Sequence, residues 1–210
     1  LIASFHFGYE DLEMFFNQKK FLEIPLYFFR GLIVISTPLY LNNIETVNFI
    51  NILLLEKSWI NIESSTYAYI FYLNLFTIFT LIFLFLIKKM INFKDFMIMG
   101  FEAISIVVIF KYLPLIMAFT LYFCFMHSTK HILSLAIGLD NNIVIGIKKF
   151  AIMAMPLTII TFAMSLIMLF YLSKDFEVDK SILKIIFIGL ASLTLPHIIL
   201  EYIYGKYKKN

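Results

Sequence analysis

The chain has 210 residues, of which 61% are apolar and 15% are charged, and its formal net charge is +3. These values exclude a water-soluble globular domain, in which about 25% of residues are charged and much of the surface is polar. The basic residues lie in short clusters between apolar stretches, which excludes a nucleic-acid-binding face. The composition therefore predicts an all-α polytopic membrane protein.

We predict a bundle of about seven transmembrane helices, because a membrane span needs about 20 mostly apolar residues. In chain order the spans are Leu1–Phe16, Ile24–Leu41, Thr66–Ile87, Phe96–Phe110, Pro114–Gly138, Phe150–Leu172 and Ser181–Tyr204. Pro114 separates the fourth span from the fifth, since proline ends or kinks a helix. Between the second and third spans, Asn43–Ser65 has the apolar spacing of a short amphipathic helix at the membrane interface. We expect residues 1–210 to form a single integral membrane domain.

The chain begins at Leu1, inside an apolar stretch, so we expect it to be a fragment that lacks at least one upstream helix. Clusters of lysines follow the odd-numbered spans. These clusters contain Lys19 and Lys20; Lys88, Lys89 and Lys94; Lys148 and Lys149; and Lys206, Lys208 and Lys209. Basic loop residues collect on the cytoplasmic side of a membrane. The pattern predicts a multi-pass protein of the cell membrane with a cytoplasmic C-terminus.

The chain has four histidines, His6, His127, His131 and His197, and all lie in predicted spans. They fall in the first, fifth and seventh spans, which run in the same direction, at depths compatible with one layer. His127 and His131 are four residues apart, so both imidazoles lie on one helix face. A polar side chain in hydrocarbon indicates a functional site, and a histidine set without paired cysteines favours Fe, Zn or Cu. We predict a metal site with these four ligands, and mononuclear iron fits best.

Two carboxylates follow His6 closely in the sequence. Glu10 lies four residues after His6 on the same helix face, and Asp11 is next to it. Either carboxylate could accept the imidazole N–H of a ligand histidine and fix its orientation, or both could be solvated at the interface. Arg30 and Glu102 also lie within predicted spans, and an ion pair or an interfacial position accounts for each as well as chemistry does.

Aromatic side chains are concentrated just before His127. Tyr122, Phe123 and Phe125 all lie within five residues of it. Such rings could line a slot for a long conjugated hydrocarbon through dispersion contacts with its flat face. For any single ring, packing against other helices or facing lipid is the more common role.

Four sequence strings combine into a family resemblance. They are HFGYED at residues 6–11, RGLIVISTPLY at 30–40, YFCFMHSTKH at 122–131 and LTLPH at 193–197. Their order and spacing resemble the Brp/Blh family of bacterial and archaeal membrane β-carotene 15,15′-dioxygenases, which supply retinal to microbial rhodopsins. The family also has an upstream motif of the HGxxD type, for which this sequence has no counterpart.

The resemblance implies oxidative cleavage of β-carotene by O₂ to two molecules of retinal within the membrane of a bacterium or archaeon. It also implies Fe(2+) as the cofactor, and the family's histidine motifs map onto His6, His127, His131 and His197. The partners would be β-carotene, O₂, membrane lipid and a microbial rhodopsin as the retinal acceptor. Two alternatives from other classes are a haem-binding electron-transfer subunit and a transporter in which the histidines relay protons.

Overall fold

The computed structural model describes residues 2–16, 23–54 and 64–190, and these ranges are helical almost throughout. No β-strand occurs in these ranges, so the predicted all-α class is confirmed for them. The elements are α1 (Ile2–Leu12), a 3₁₀ turn (Glu13–Phe15), α2 (Ile24–Leu41), α3 (Asn43–Leu54), α4 (Ser64–Ile87), α5 (Phe93–Tyr112), α6 (Leu115–Leu121), a π-helical segment (Tyr122–Ser128), α7 (Thr129–Leu139) and α8 (Ile143–Leu172). Residues 178–190 form a further helix, α9.

In the described part of the chain, three helices are long and apolar enough to cross a membrane: Ile24–Leu41, Ser65–Ile87 and Ile143–Leu172. They match the second, third and sixth predicted spans. The fourth predicted span is the helix α5, and the fifth is divided among α6, the π-helical segment and α7. The total of seven spans stays a prediction, and residues 191–204 of the last span lie outside the described ranges.

Two boundaries show how local chemistry sets helix ends. Pro114 precedes α6 and separates it from α5, as predicted. The sixth predicted span, however, begins at Ile143 rather than at Phe150, because the Asn142 side chain accepts hydrogen bonds from the first backbone N–H groups of α8. The predicted boundary was therefore seven residues too late, and Lys149 lies inside the helix.

Asp140 stands beside this N-cap and interacts with the first part of α8. The Lys149 Nζ lies 2.6 Å from a carboxylate oxygen of Asp140, and the backbone N–H of Asn142 donates to the other at 2.9 Å. The hydrogen bond from Lys149 lowers the pKa of Asp140 from its ordinary value, and the bond from the Asn142 N–H adds to this.

By backbone contacts the chain divides into two compact units, as far as it is described. The first comprises residues 1–48 and 60–135, and the second comprises residues 49–59 and 136–210. All the candidate site residues described below belong to the first unit. The single domain expected over residues 1–210 stays a prediction.

Two glycines allow α1 and α2 to approach each other closely within the first unit. A Cβ at Gly8 would overlap the carbonyl oxygen of Tyr27, and a Cβ at Gly31 would overlap the carbonyl oxygen of Ser4. Small residues at a crossing let two helix backbones come into contact. This crossing brings Ser4 and Gly8 of α1 against Tyr27 and Gly31 in the first half of α2, where Arg30 lies next to Gly31.

Candidate functional site

Two consecutive carboxylates of α1 each contact an imidazole, one from the π-helical segment and one from α7. Asp11 Oδ1 lies 3.2 Å from His127 Nδ1, and Glu10 Oε2 lies 2.5 Å from His131 Nδ1. Glu10 and Asp11 are both buried. An ionised carboxylate only accepts hydrogen bonds, so Nδ1 of each ring is the donor. This leaves the lone pair of His127 on Nε2, which is how ligand histidines are commonly oriented in metal sites.

His6 lies beside His127. The centroids of the two rings are 5.7 Å apart and their planes are inclined by 74°. Both side chains are buried. His6 is also one helical turn before Glu10, which contacts His131. The structure thus brings three of the four predicted histidines into one neighbourhood, and His197 lies outside the described part of the chain.

These side chains are of the types that bind metal ions, but in this structure they do not surround a common metal position. No three His, Cys, Asp or Glu side chains within residues 2–16, 23–54 and 64–190 are close enough, as they stand, to share a metal ion. The donors are imidazoles held by carboxylates in a buried setting, and imidazole is a ligand that suits iron, zinc and copper. Metal ligation by His6, His127, His131 and His197 therefore stays a prediction.

The sequence placed Glu10 beside His6, and the structure gives the two carboxylates partners on another helix. Asp11 holds His127 and Glu10 holds His131. The alternative in which both carboxylates are simply solvated at the interface is wrong, because Asp11 is fully buried and Glu10 is 6% exposed.

The second oxygen of Asp11 receives two further donors. Tyr122 donates its hydroxyl to Oδ2 at 3.1 Å, and Arg30 Nη2 lies 3.2 Å from the same atom. Arg30 and Tyr122 are fully buried. The Asp11 carboxylate is therefore held from three directions, by His127 on one oxygen and by Tyr122 and Arg30 on the other.

Charged side chains from α5 and α7 extend this cluster. Glu102 Oε2 lies 3.3 Å from Arg30 Nη2, and Glu102 Oε1 lies 2.6 Å from Lys130 Nζ. Lys130 also donates to the backbone carbonyl of Asp11 at 3.2 Å. Of the accounts of Arg30 and Glu102 left open by the sequence, the ion pair is present in the structure.

Sequence reasoning missed Lys130 and Tyr122 as members of this cluster. A signal for Lys130 was present, since it is a charge inside a predicted membrane span and lies between the two histidines. Tyr122 carried no such signal, because one tyrosine in an aromatic-rich stretch is not distinguished from its neighbours.

The π-helical segment explains how Tyr122 and His127 reach the same carboxylate. In an α-helix, residues five apart point about 140° away from each other around the axis. A π-helix closes i→i+5 hydrogen bonds, so five residues complete about one turn. The rings of Tyr122 and His127 accordingly stack, with centroids 6.1 Å apart and planes inclined by 28°.

Aromatic side chains cover the rest of the His127 ring. The Phe7 ring meets it edge-on with centroids 5.0 Å apart, and the Phe123 ring lies 5.5 Å from it. The imidazole therefore has the charged cluster against Nδ1 and aromatic rings around it.

We expect Tyr122→Phe to destabilise the protein by about 1–3 kcal/mol, because a buried carboxylate loses a hydrogen-bond donor. The matched control is Tyr40→Phe, which removes a hydroxyl that lies 3.0 Å from the hydroxyl of the exposed Tyr72. That change should stay within about 0.5 kcal/mol. Unfolding of the two variants in detergent micelles checks this, and equal stabilities would contradict the role given to the Tyr122 hydroxyl.

Comparison with known proteins identifies sequences and a family that this chain resembles. The family model described as Beta-carotene 15,15'-dioxygenase matches residues 1–204. The chain is 32% identical over 102 residues to a protein named Beta-carotene 15,15'-dioxygenase from uncultured marine bacterium 66A03. The matched stretch is 48% of this chain and 36% of that relative, so it spans about a third of the relative's length. No solved structure matches the chain.

The family match covers nearly the whole chain, including His6, His127, His131 and His197. It agrees with the resemblance carried by the HFGYED, YFCFMHSTKH and LTLPH strings. This chain belongs to the β-carotene 15,15′-dioxygenase family.

Proposed function

We propose that this protein cleaves the central double bond of β-carotene with O₂ to give two molecules of retinal. The 15,15′ carbon–carbon double bond and the O–O bond break, and two aldehyde C=O bonds form, so that both oxygen atoms enter the products. The observation that carries the proposal is the pair of carboxylate-held imidazoles, His127 and His131, beside His6 in a buried setting. The family match supplies the substrate.

The proposal includes Fe(2+) bound by His6, His127, His131 and His197. A bound ferrous ion would supply the electrons and the open coordination position with which O₂ is activated. The chain's own contribution is to orient the imidazoles. Asp11 and Glu10 hold Nδ1 of His127 and His131, which directs the Nε2 lone pairs away from the carboxylates.

The aromatic rings around His127 have two roles in this proposal. Phe7 and Phe123 are only partly buried and present flat apolar surfaces next to the imidazole, against which a polyene can pack, whereas Tyr122 is fully buried and backs the imidazole. The same rings exclude water from the space beside the histidine, which protects a reactive oxygen species from side reactions. Binding and protection would thus come from the same side chains.

The setting in the cell completes the proposal. β-Carotene dissolves in lipid, so a protein with apolar membrane-crossing helices can receive it from the bilayer. The distribution of lysines supports a cell-membrane protein with its C-terminus in the cytoplasm. A microbial rhodopsin would be the acceptor of the retinal.

The test is retinal formation in bacteria that make β-carotene. The cells express the complete natural reading frame that contains this chain, and they are supplied with iron. We expect the orange colour to fade and retinal to appear in extracts separated by chromatography. His127→Ala should abolish retinal formation, because it removes a proposed ligand, whereas Tyr40→Phe should leave it unchanged. Persistent β-carotene despite well-expressed, folded wild-type protein would refute the proposal.

A further inference from the structure

We propose that Arg30 and Glu102 are positioning residues that fix the imidazole of His127 by acting through Asp11. The inference rests on the proposed metal-dependent function and deepens it. It assigns a role to two charges on α2 and α5 that the chemistry of the histidines does not by itself require.

The first step is the contact between Arg30 and Asp11. One guanidinium nitrogen, Nη2, lies 3.2 Å from Asp11 Oδ2, while Asp11 Oδ1 lies 3.2 Å from His127 Nδ1. The cation and the imidazole thus hold opposite oxygens of one carboxylate. Rotation of the carboxylate about its Cβ–Cγ bond would break both contacts, so Arg30 restrains the direction in which Asp11 accepts from His127.

The second step is that a contribution to folding stability does not by itself explain why Arg30 is buried at this position. Its side chain is fully buried, and Nε and Nη1 have no hydrogen-bond partner among the described residues. Burying donors without partners costs free energy. A buried ion pair is also often no more stabilising than apolar side chains of the same volume. A role in orienting Asp11 explains why a residue with these costs lies at this position.

The third step is the position of Glu102 between two cations. Its carboxylate lies 3.3 Å from Arg30 Nη2 through one oxygen and 2.6 Å from Lys130 Nζ through the other. Lys130 in turn donates to the backbone carbonyl of Asp11 at 3.2 Å, in the last turn of α1. Glu102 therefore positions two of the groups that hold Asp11, one at its side chain and one at its backbone.

These contacts predict that substitutions of Arg30 or Glu102 lower the metal affinity although all the proposed ligand histidines are kept. Loss of a partner that orients a ligand histidine typically lowers metal affinity about 10–100-fold. We expect Arg30→Met to lower the affinity by that factor, and Glu102→Gln to lower it less, because Asp11 keeps Arg30. Arg30→Lys should recover part of the loss, since it keeps a positive charge but not the planar guanidinium.

The experiment uses Co(II) as the probe, added to the complete protein purified in detergent. Affinity and the visible absorption of bound Co(II), which reports imidazole coordination, are measured beside thermal unfolding. Arg30→Met leaves Asp11 as a buried charge without its cation, so it should also be less stable. The double variant Arg30→Met/Asp11→Asn removes both charges, and it should regain stability while Co(II) affinity remains low.

A matched control is the pair Lys149→Met/Asp140→Asn, which removes an exposed ion pair and should change neither Co(II) affinity nor the spectrum. Wild-type affinity and spectrum in Arg30→Met would overturn the inference. So would an affinity that recovers together with stability in the double variant, because Arg30 would then be structural only. If those results come with wild-type retinal formation, the proposed function stands. Wild-type protein that binds no Co(II) and forms no retinal would overturn both.

Discussion

Inserting one alanine after Phe125 is expected to abolish retinal formation, although the Phe125 side chain is 71% exposed. Phe125 lies in the π-helical segment between Tyr122 and His127, where the wide turn lets both side chains reach Asp11. The extra residue would place Tyr122 and His127 six positions apart, which in an α-helix is about 120° around the axis. Asp11 would then keep only one of these two donors.

The measurements are retinal formation and Co(II) affinity, with circular dichroism to verify the helix content. The control is Phe125→Ala, which changes the same site but keeps the number of residues, and it should retain most of the retinal formation. An insertion variant with wild-type retinal yield would show that the π-helical turn is not needed to place His127.

Gly8→Ala is expected to destabilise the protein by about 3 kcal/mol or more, which is the upper range for overpacking a tight contact. The added Cβ would overlap the carbonyl oxygen of Tyr27 and lie 2.8 Å from the backbone nitrogen of Gly31. Both neighbours are backbone atoms, so no side chain can rotate away. α1 and α2 must separate, which also moves Asp11 away from Arg30.

Gly100→Ala provides the comparison, since its Cβ would lie 3.7 Å from a Phe79 ring carbon, an ordinary van der Waals distance. Alanine is the better helix former by about 1 kcal/mol, so this variant should be at least as stable as the wild type. The free energies of unfolding of both variants, measured in detergent, test this prediction. If Gly8→Ala proves as stable as Gly100→Ala, the close crossing of α1 and α2 is refuted.

Several features of the fold could be predicted from the sequence because they depend on neighbouring residues. Runs of apolar residues predicted the three helices that are able to cross a membrane. Pro114 marked the break between α5 and α6, since its ring is incompatible with a helix interior. The start of α8 was placed too late, because the capping role of Asn142 is a single-residue signal.

The candidate site was predictable in its residue types and only partly in its contacts. The spacing of His127 and His131 indicated one helix face, and both imidazoles do meet carboxylates of α1. The i, i+4 rule placed Glu10 beside His6. It carried no information about a second helix, and so the contacts of Glu10 with His131 and of Asp11 with His127 were not foreseen.

The sequence by itself determined the all-α class of the described residues, the long apolar helices that could cross a membrane and the identity of the polar side chains placed within the helices. Only the tertiary structure decided which of these side chains meet. The reason is that helix formation depends on residues three and four apart, whereas a contact between helices depends on how closely they cross and how each is rotated. Here the crossing depends on Gly8 and Gly31, and the rotation depends on the π-helical turn before His127.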